Sequence, residues 1–497
     1  MSPLVYAVDL GSTNIKVVLY DDTLAPLASA SRPVRYDRDA DRVEFDADEV
    51  VDAVIALIGD CARDAVAPAD REAIIAVTGQ AESLVLADRT GRATGPAISW
   101  MDERSHVEAA EIAAAFDPAT AFAVTGEPAP IPTWPATKLR WLAKHHPGVL
   151  GAAAHVLMIK DYLLLRLTGR AVGEETTRGF TYLYDVPGRR YWDEMVAFCG
   201  VRPETLPELV PAGAVVGSVR DEVRALLPPA ASYAVNAGAL DHFCAMVGTG
   251  SYRPGAVSAS AGTVLALSML VDEPVPDPVL GASLHPGIRP GETVLFTCAD
   301  SGGVCLSWFQ EQIAGQDDYD ALEQELPARD PASAPLFLPY LTGVNPPDFD
   351  PQARGAFVDL HLRHDRVDLA YAVMEGVAHL LRRNIVALAE RGHAVDAVVS
   401  AGGGTASRFW NQLKADVTGV ELRVPHEAEA ACRGAALLAL AAAGVVSSID
   451  DTARLHRPDD ERFPARHDTL RRARYDAFDS ALTRLYGAGH PRDEERP

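Results

Sequence analysis

The N-terminal stretch LVYAVDLGSTNIKVVLYDD, residues 4–22, consists of two runs rich in β-branched residues on either side of a Gly-Ser-Thr-Asn turn. This pattern predicts a β-hairpin. The stretch is followed by ADEVVDAVIALIGDCARDAV (residues 47–66), with apolar residues at helical spacing, and by AIIAVTGQ (residues 73–80), a buried strand. The alternation of strand, helix and strand predicts an α/β layer architecture.

The second half of the chain repeats this plan. GAVSASAGTVLALSML (residues 255–270) is again two β-rich segments around a glycine turn, and a long helix is predicted over residues 366–392. DAVVSAGGGTASRFWNQLKADVTG (residues 396–419) predicts a strand, a glycine loop and a helix. With 497 residues, the chain is long enough for two domains. We therefore expect two similar domains that face each other across a cleft, with a helical surface appendage after about Ser447.

Composition excludes several classes of function. The formal net charge of −24 disfavours nucleic acid and anionic membranes as partners, since both require a basic surface. The N-terminus lacks the features of a signal peptide, and GAALLALAAAGVV (residues 434–446) is too short to span a bilayer. The six cysteines form no CxxC pair, which indicates neither a zinc site nor a disulfide framework. We expect a cytoplasmic protein.

Three glycine-rich turns are candidates for binding phosphate. They are DLGSTNIK (residues 9–16), SASAGTV (residues 258–264) and SAGGGTAS (residues 400–407). Glycine allows a tight turn and lets phosphate approach the backbone N–H groups. A Walker A loop is excluded because the sequence contains no Gly-Lys dipeptide. For each turn taken singly, an ordinary hairpin turn remains open.

Two aspartates lie beside predicted turns. Asp9 ends the first strand, where it is either directed at a metal-bound phosphate or caps its own turn. Asp241 lies in AGALDHFCAMVGTG (residues 237–250), after a glycine-rich strand exit. It is either the N-cap of a helix starting at His242 or a reacting group at that helix N-terminus, and the two roles are compatible.

Together these segments resemble the FGGY family of carbohydrate kinases up to about Val446. The resemblance rests on DLGSTNIKVVLYD, on VTGQAESLVLAD followed by ISWMDERS, on TKLRWL and KDYLLLRLTG, on GALDH, on SAGT, and on AGGGTASRFWNQLKADVTGVELRVP followed by ACRGAALLAL. It implies an α/β fold of two actin-like (RNase H-like) domains facing across an interdomain cleft. We assign residues 1–248 to the sugar-binding domain, 249–446 to the ATP-binding domain and 447–497 to the appendage.

The resemblance also implies a reaction, the transfer of the γ-phosphoryl group of ATP to a sugar hydroxyl with Mg²⁺. Asp241 would be the general base, and Asp9 would hold Mg²⁺ directly or through water. Lys16 could instead be merely solvated on its strand, and Gly303 a plain loop glycine. The residues expected to bind ATP are Gly11, Ser12, Thr13, Asn14, Lys16, Gly262, Thr263, Gly303, Gly403, Gly404, Thr405 and Ser407.

The sugar side departs from the better-known members of the family. Ala81 stands where glycerol kinases have an arginine, Thr133 where they have a tyrosine, and Glu174 where the family usually has an aspartate. Glycerol is therefore disfavoured, and we expect a ketopentose such as xylulose or a related ketose. The sugar contacts expected are Gln80, Glu82, Trp100, Asp102, Arg104 and His242.

Several alternatives stay open at this point. Trp100 could be a core aromatic residue, and Asp102 with Arg104 could form a structural ion pair. The substrate could be a polyol, or the protein could be an actin-fold ATPase that uses no sugar. A homodimer is compatible with the sequence.

Overall fold

The computed structural model describes residues 2–261, 264–272, 275–299, 301–315, 319–341, 353–426, 429–451 and 460–487. In chain order the strands are β1 Leu4–Leu10, β2 Asn14–Tyr20, β3 Pro26–Pro33, β4 Asp37–Asp39, β5 Arg42–Phe45, β6 Ala73–Gly79, β7 Leu84–Ala87, β8 Ala97–Ile98, β9 His155–Met158, β10 Val172–Glu174, β11 Tyr184–Asp185, β12 Arg190–Tyr191, β13 Glu208–Val210, β14 Val215–Ser218, β15 Tyr233–Asn236, β16 Ala256–Ala261, β17 Leu265–Val271, β18 Ser283–Pro286, β19 Thr293–Ala299, β20 Leu336–Leu338, β21 Ala356–Val358, β22 Ala397–Ala401, β23 Glu421–Val424 and β24 Glu461–Phe463.

The helices are α1 Ala47–Asp64, α2 His106–Ala115, α3 Pro118–Thr125, α4 Pro135–His145, α5 Pro147–Ala152, α6 Ile159–Thr168, α7 Glu175–Arg178, α8 Asp193–Phe198, α9 Asp221–Arg224, α10 Asp241–Thr249, α11 Val304–Phe309, α12 Tyr319–Glu325, α13 Arg366–Glu390, α14 Arg408–Thr418, α15 Ala430–Ala442 and α16 Thr469–Tyr486. Within these described ranges, no helix is long and apolar enough to cross a membrane.

The first large sheet has the strand order β14-β15-β6-β1-β2-β3. Strands β1, β6 and β15 are parallel, whereas β1 and β2 form the predicted antiparallel hairpin. Alternate residues of β1 point to opposite faces. Tyr6 and Val8 pack in the core that contains α1, whereas Val5 and Ala7 pack in the core that contains α15. The sheet is therefore covered by one helix from each half of the chain.

The second large sheet repeats this plan, with the strand order β18-β19-β17-β16-β22-β23-β24. Strands β16, β22 and β23 are parallel, and β16 and β17 form an antiparallel hairpin. Strand β24, which comes from the C-terminal tail, pairs with β23 at the edge. Two sheets with the same central order confirm the expected α/β fold of two similar domains.

Helices α10 and α15 pack with their backbones in direct contact. A Cβ atom at Gly434 would overlap the backbone of Cys244, and one at Gly248 would overlap the backbone of Ala430. The pairing of residue 244 with 434 and of 248 with 430 means that the helices run antiparallel. Only glycine permits this approach. The helix that begins at Asp241 is thus fixed against a helix from the second half of the chain.

The tail packs onto the second domain through buried charges. Arg474 on α16 donates hydrogen bonds to both carboxylate oxygens of Glu375 on α13 and to the backbone carbonyl of Ala334. Burial raises the pKa of Glu375, but its interactions with His379 and then with Arg474 outweigh that effect and bring the pKa to about 2. Helix α16 and strand β24 therefore form part of the second domain's packing.

Candidate functional site

Asp9 lies at the end of β1, directly opposite Lys16 on β2. Its Oδ1 atom is buried and has no hydrogen-bond partner. Burial raises the pKa of Asp9 to about 7, and repulsion from Asp241 adds to the increase. The two aspartates are therefore close enough to interact, although 232 positions separate them in the sequence. Asp9 is a desolvated carboxyl group with an unused oxygen, as expected for a residue that meets a ligand.

Asp241 is the first residue of α10, and Leu240 occupies the N-cap position. The expectation that Asp241 is the N-cap of a helix starting at His242 was therefore wrong by one residue. Its Oδ1 atom accepts a hydrogen bond of 2.6 Å from the N–H group of His242. The preceding chain turns at Gly238, whose φ of +56° and close approach to the carbonyl of Val77 both require glycine. The carboxylate is thus held at a helix N-terminus by a turn that other residues would not adopt.

A buried polar network supports this turn. The N–H group of Leu240 donates to Oγ1 of Thr176 at 2.9 Å, and that hydroxyl donates to Oε2 of Glu174 at 2.8 Å. Lys160 Nζ lies 2.9 Å from the same carboxylate oxygen. Glu174, Thr176 and Lys160 are all fully buried. Glu174, the residue that departs from the family's usual aspartate, is therefore tied to the backbone that carries Asp241.

Glu82 also lies close enough to Asp241 for their charges to interact. Its backbone φ of +62° is uncommon for a residue with a side chain, and such strain is often found at functional sites. Burial raises the pKa of Glu82; attraction to Lys138 opposes the increase, and repulsion from Asp241 adds to it. Nearby, Lys138 is fully buried and donates to the carbonyl of Thr133 at 2.7 Å. Burial lowers the pKa of Lys138.

The remaining residues expected to contact sugar fall into two groups. Gln80 is buried next to Glu82 and accepts a hydrogen bond of 2.9 Å from Ser83. His242 packs edge-on against Phe296 of the second domain, with ring centroids 5.3 Å apart. Trp100 is 37% exposed, so it is not a residue of the core. Trp100 and His242 are therefore accessible to a ligand, whereas Gln80 is almost fully buried.

Asp102 and Arg104 form the second group. Asp102 is fully buried and accepts hydrogen bonds from the N–H group of Val43 at 2.7 Å and from Nε of Arg104 at 2.8 Å. Arg104 also contacts Glu44 at 2.6 Å and lies over the ring of Trp141. Their polar atoms therefore have partners within the protein, which favours the structural ion pair left open by the sequence.

The first phosphate-type turn joins β1 to β2. Thr13 and Asn14 are exposed, Gly11 and Ser12 are partly exposed, and the carbonyl of Ser12 accepts a hydrogen bond of 2.8 Å from the hydroxyl of Tyr36. The turn therefore offers its backbone to solvent while one contact anchors it. Its N–H groups are available to an anion.

The other two turns lie in the second domain. Gly262 and Thr263 lie outside the described residues, but Gly302, next to Gly303, approaches the backbone of Val264 closely and so lies against that hairpin. Gly403, Gly404 and Thr405 form a short 3₁₀ turn between β22 and α14. Ser407 is the N-cap of α14, and its hydroxyl accepts a hydrogen bond of 3.0 Å from the N–H group of Trp410. The third turn is thus a strand-to-helix connection, as predicted.

Two acidic residues near the site were not predicted from the sequence. Glu429 precedes α15 and binds the Nζ atom of Lys16 through both carboxylate oxygens at 2.6 Å. Glu127 is fully buried and accepts a hydrogen bond of 2.8 Å from Ser283 on β18. Burial raises the pKa of Glu127 well above its usual range, and the charge of Glu82 raises it further. Each contact joins residues more than 150 positions apart, so no local pattern could have revealed it.

The fold and this set of residues define a two-domain kinase, and comparison with known proteins identifies its family. Models of the FGGY family of carbohydrate kinases match residues 4–248 (N-terminal domain) and 257–443 (C-terminal domain). The chain belongs to this family. It is an ATP-dependent carbohydrate kinase, with a sugar and ATP as its substrates. The prediction of a carbohydrate kinase is confirmed, and the alternative of an ATPase without a sugar substrate was wrong.

Relatives within the family carry different names. The chain is 26% identical over 465 residues to a gluconokinase of Bacillus licheniformis, with 90% of each chain covered. It is 28% identical over 484 residues to a xylulose kinase of Escherichia coli, covering 94% of this chain and 97% of that one. Among solved structures, a xylulose kinase from Rhodospirillum rubrum matches with a TM-score of 0.87 and 28% identity, covering 97% of this chain and 98% of that one.

Proposed function

We propose that this kinase phosphorylates a small uncharged ketose, xylulose or a closely related sugar, with Asp241 as the general base. The observation that carries the proposal is the acidic character of the site around Asp241. Desolvation of the carboxyl groups raises the pKa values of Asp9, Glu82 and Glu127, and the charge of another acid raises each further, although Lys16 and Lys138 oppose the increase at Asp9 and Glu82. A sugar hydroxyl can donate hydrogen bonds to such groups, whereas a sugar acid would add another negative charge.

The choice between a ketose and gluconate depends on whether a cation is available. Burial lowers the pKa of Lys138, which disfavours its charged form, and the nearby Glu82 already attracts that charge. One of its N–H groups also donates to the carbonyl of Thr133. Arg104 is held between Asp102 and Glu44. Neither cation is therefore well placed to bind a substrate carboxylate. This argument favours the function named for the xylulose kinase relatives over that named for the gluconokinases.

In the proposed reaction, the carboxylate of Asp241 accepts the proton of the attacking sugar hydroxyl. The hydroxyl oxygen bonds to the γ-phosphorus, and the bond between the γ-phosphorus and the bridging β-phosphate oxygen breaks, which releases ADP. A positioned base contributes about 10²–10⁴-fold to the rate. The N–H groups of Gly11, Ser12 and Thr13 stabilise charge on the transferred group, and closure of the two domains excludes water. The glycine turn at residues 403–405, with Gly303 and Ser407, holds the nucleotide on the second domain.

Magnesium fits Asp9 because a carboxylate oxygen without a partner is the kind of ligand this ion prefers. Within the described residues, no cluster of three or more side chains could hold a metal by itself. This agrees with an ion carried mainly by phosphate oxygens and water. When bound with ATP, magnesium would supply positive charge next to the transferred phosphoryl group.

The domain division at residues 248 and 446 belongs to the same proposal. It is supported by the limits of the two family models and by the repeated order of strands in the two large sheets. The tail after residue 446 adds β24 and α16 to the second domain. We propose that it serves as a brace for that domain.

The test is a coupled assay of ADP formation across D-xylulose, D-ribulose, deoxyketoses, pentitols, tetritols, glycerol and D-gluconate. The highest kcat/KM is expected for a ketopentose. Gluconate is expected to be at least about 100-fold poorer, since each 1.4 kcal/mol of unfavourable charge costs a factor of ten. A kcat/KM for gluconate equal to or above that of the ketoses would refute the substrate class. A preference for a pentitol would support the polyol alternative.

A further inference from the structure

Lys16 and Glu429 form an ion pair between β2 of the first domain and the start of α15. The ammonium donates to both carboxylate oxygens at 2.6 Å. The side chains are 32% and 28% exposed, so the pair is neither sealed in the core nor fully solvated. Lysine is scarce in this chain, with five residues in all, and three of them (Lys138, Lys160 and Lys414) are buried. The placement of Lys16 next to Asp9 is therefore distinctive.

Both members of the pair are held by rigid elements. Lys16 lies directly across the β1–β2 ladder from Asp9, and side chains of directly opposed residues share one face of a sheet. Glu429 immediately precedes α15, which is fixed to α10 by the glycine contacts of Gly434 and Gly248. The ammonium is thus held at a defined place beside Asp9, in the region that contains Asp241.

The ion pair with Glu429 uses only part of the hydrogen-bonding capacity of the Lys16 ammonium. A lysine ammonium has three N–H donors, and the two oxygens of Glu429 engage two of them. We propose that Glu429 is a positioning residue, which orients Lys16 so that its remaining N–H group donates to the phosphoryl group that ATP transfers. This inference rests on the proposed function, because it takes Asp9 and Asp241 to mark the place where that phosphoryl group lies.

The alternative explanation of the Lys16–Glu429 pair is that it only connects β2 to the start of α15 as a structural contact. Partly exposed ion pairs contribute little to stability, about 0–1 kcal/mol, because solvent screens them and the side chains lose freedom. If Glu429 served only as a bridge, its removal would change the melting temperature slightly and leave catalysis nearly intact. If it orients Lys16, its removal would change the chemical step and act only through Lys16.

The experiment compares Glu429→Gln, Lys16→Met and the double variant, using the best sugar from the substrate panel. We expect each single variant to lower kcat about 10–100-fold with little change in the KM of the sugar, as for the loss of one oriented charge donor. In the Lys16→Met background, Glu429→Gln should have no further effect, because the residue through which it acts is gone. Affinity for ADP, which lacks the transferred group, should stay within about twofold of wild type.

Asp396→Asn is the matched control, since Asp396 is likewise an acid in an ion pair, with Arg253 at 3.1 Å, but on the surface. Its kinetics should equal those of wild type. A kcat for Glu429→Gln within twofold of wild type, or effects that add fully in the double variant, would overturn the inference. If Glu429→Gln does not fold, Glu429→Asp keeps the charge and should retain more kcat than Lys16→Met. A wild-type enzyme without turnover on any sugar would instead refute the proposed function.

Discussion

Two groups of buried charges in the first domain differ in how well their charges are matched. Lys160, Glu174 and the threonines beside them satisfy one another at 2.6–3.3 Å under the turn that carries Asp241. Asp9 and Glu82 are only partly buried as residues. Desolvation of their carboxyl groups and repulsion from Asp241 raise their pKa values, and the nearby Lys16 and Lys138 only partly offset this. The first arrangement gives rigidity, whereas the second keeps unmatched polar atoms ready for a ligand. The predictions below test this difference.

The largest effect is expected at the boundary between the two groups. Asp241→Asn keeps the size of the side chain and removes its ability to take a proton, so kcat should fall by at least about 10²–10⁴-fold. The measurement is the initial rate with saturating ATP and sugar. Binding of a nucleotide, followed by calorimetry, should be preserved. Substantial turnover in this variant would mean that another group accepts the proton.

Substitution in the matched network of Lys160 and Glu174 should lower the stability of the protein. Lys160→Met leaves the carboxylate of Glu174 buried without its cation, and loss of one partner of a buried pair costs about 3–5 kcal/mol. Unfolding in urea measures this loss. The double variant Lys160→Met with Glu174→Leu should recover part of it, since the unmatched charge is removed. An unchanged midpoint for Lys160→Met would show that the network does not stabilise the turn.

Substitution of Asp9, in the unmatched group, should increase stability rather than reduce it. In protein free of metal and nucleotide, the folded state raises the pKa of Asp9 to about 7, so folding disfavours its ionised form. The stability contributed by the protonated form is present below about pH 4 and is lost as the pH rises towards 7. Asp9→Asn does not ionise. It should therefore be more stable than wild type at pH 8, by roughly 2–4 kcal/mol, with the gain vanishing near pH 4.

Thermal melts of wild type and Asp9→Asn across pH 4–8, in the presence of a chelator, provide the measurement. A constant difference between the two proteins at all pH values would contradict the assigned pKa shift. The same variant should lose activity, because Asp9 is the proposed partner of magnesium. Gain of stability with loss of function is the behaviour expected of a residue kept for its chemistry.

The smallest effect is expected on the surface. Arg170 and Glu208 form an ion pair at 3.0 Å with side chains 49% and 64% exposed. Glu208→Gln should change stability by less than about 1 kcal/mol. Urea unfolding at low and high salt checks this, and it calibrates the two buried groups. A loss as large as that of Lys160→Met would show that burial is not what separates them.

Much of the fold was predictable from local patterns. The two glycine-turned hairpins, the helix that ends before Gly392 and the turn before α14 all follow from periodicity and turn residues in short windows. The boundary at Asp241 was off by one residue because helix caps depend on backbone geometry that a sequence does not fix. The roles of Asp102 and Arg104 stayed undecided for a related reason, since their partners Val43 and Glu44 lie on strand β5, about 60 positions away in the sequence.

The sequence by itself determined the class of the protein, because the order and spacing of its phosphate-type turns and of GALDH are local features written in the chain. Only the tertiary structure decided which charges meet. It brought Glu429 to Lys16, Glu127 to Ser283 and Asp9 to the neighbourhood of Asp241. The physical reason is that pKa values and ion pairs depend on distances and burial between segments far apart in sequence, and packing alone sets those.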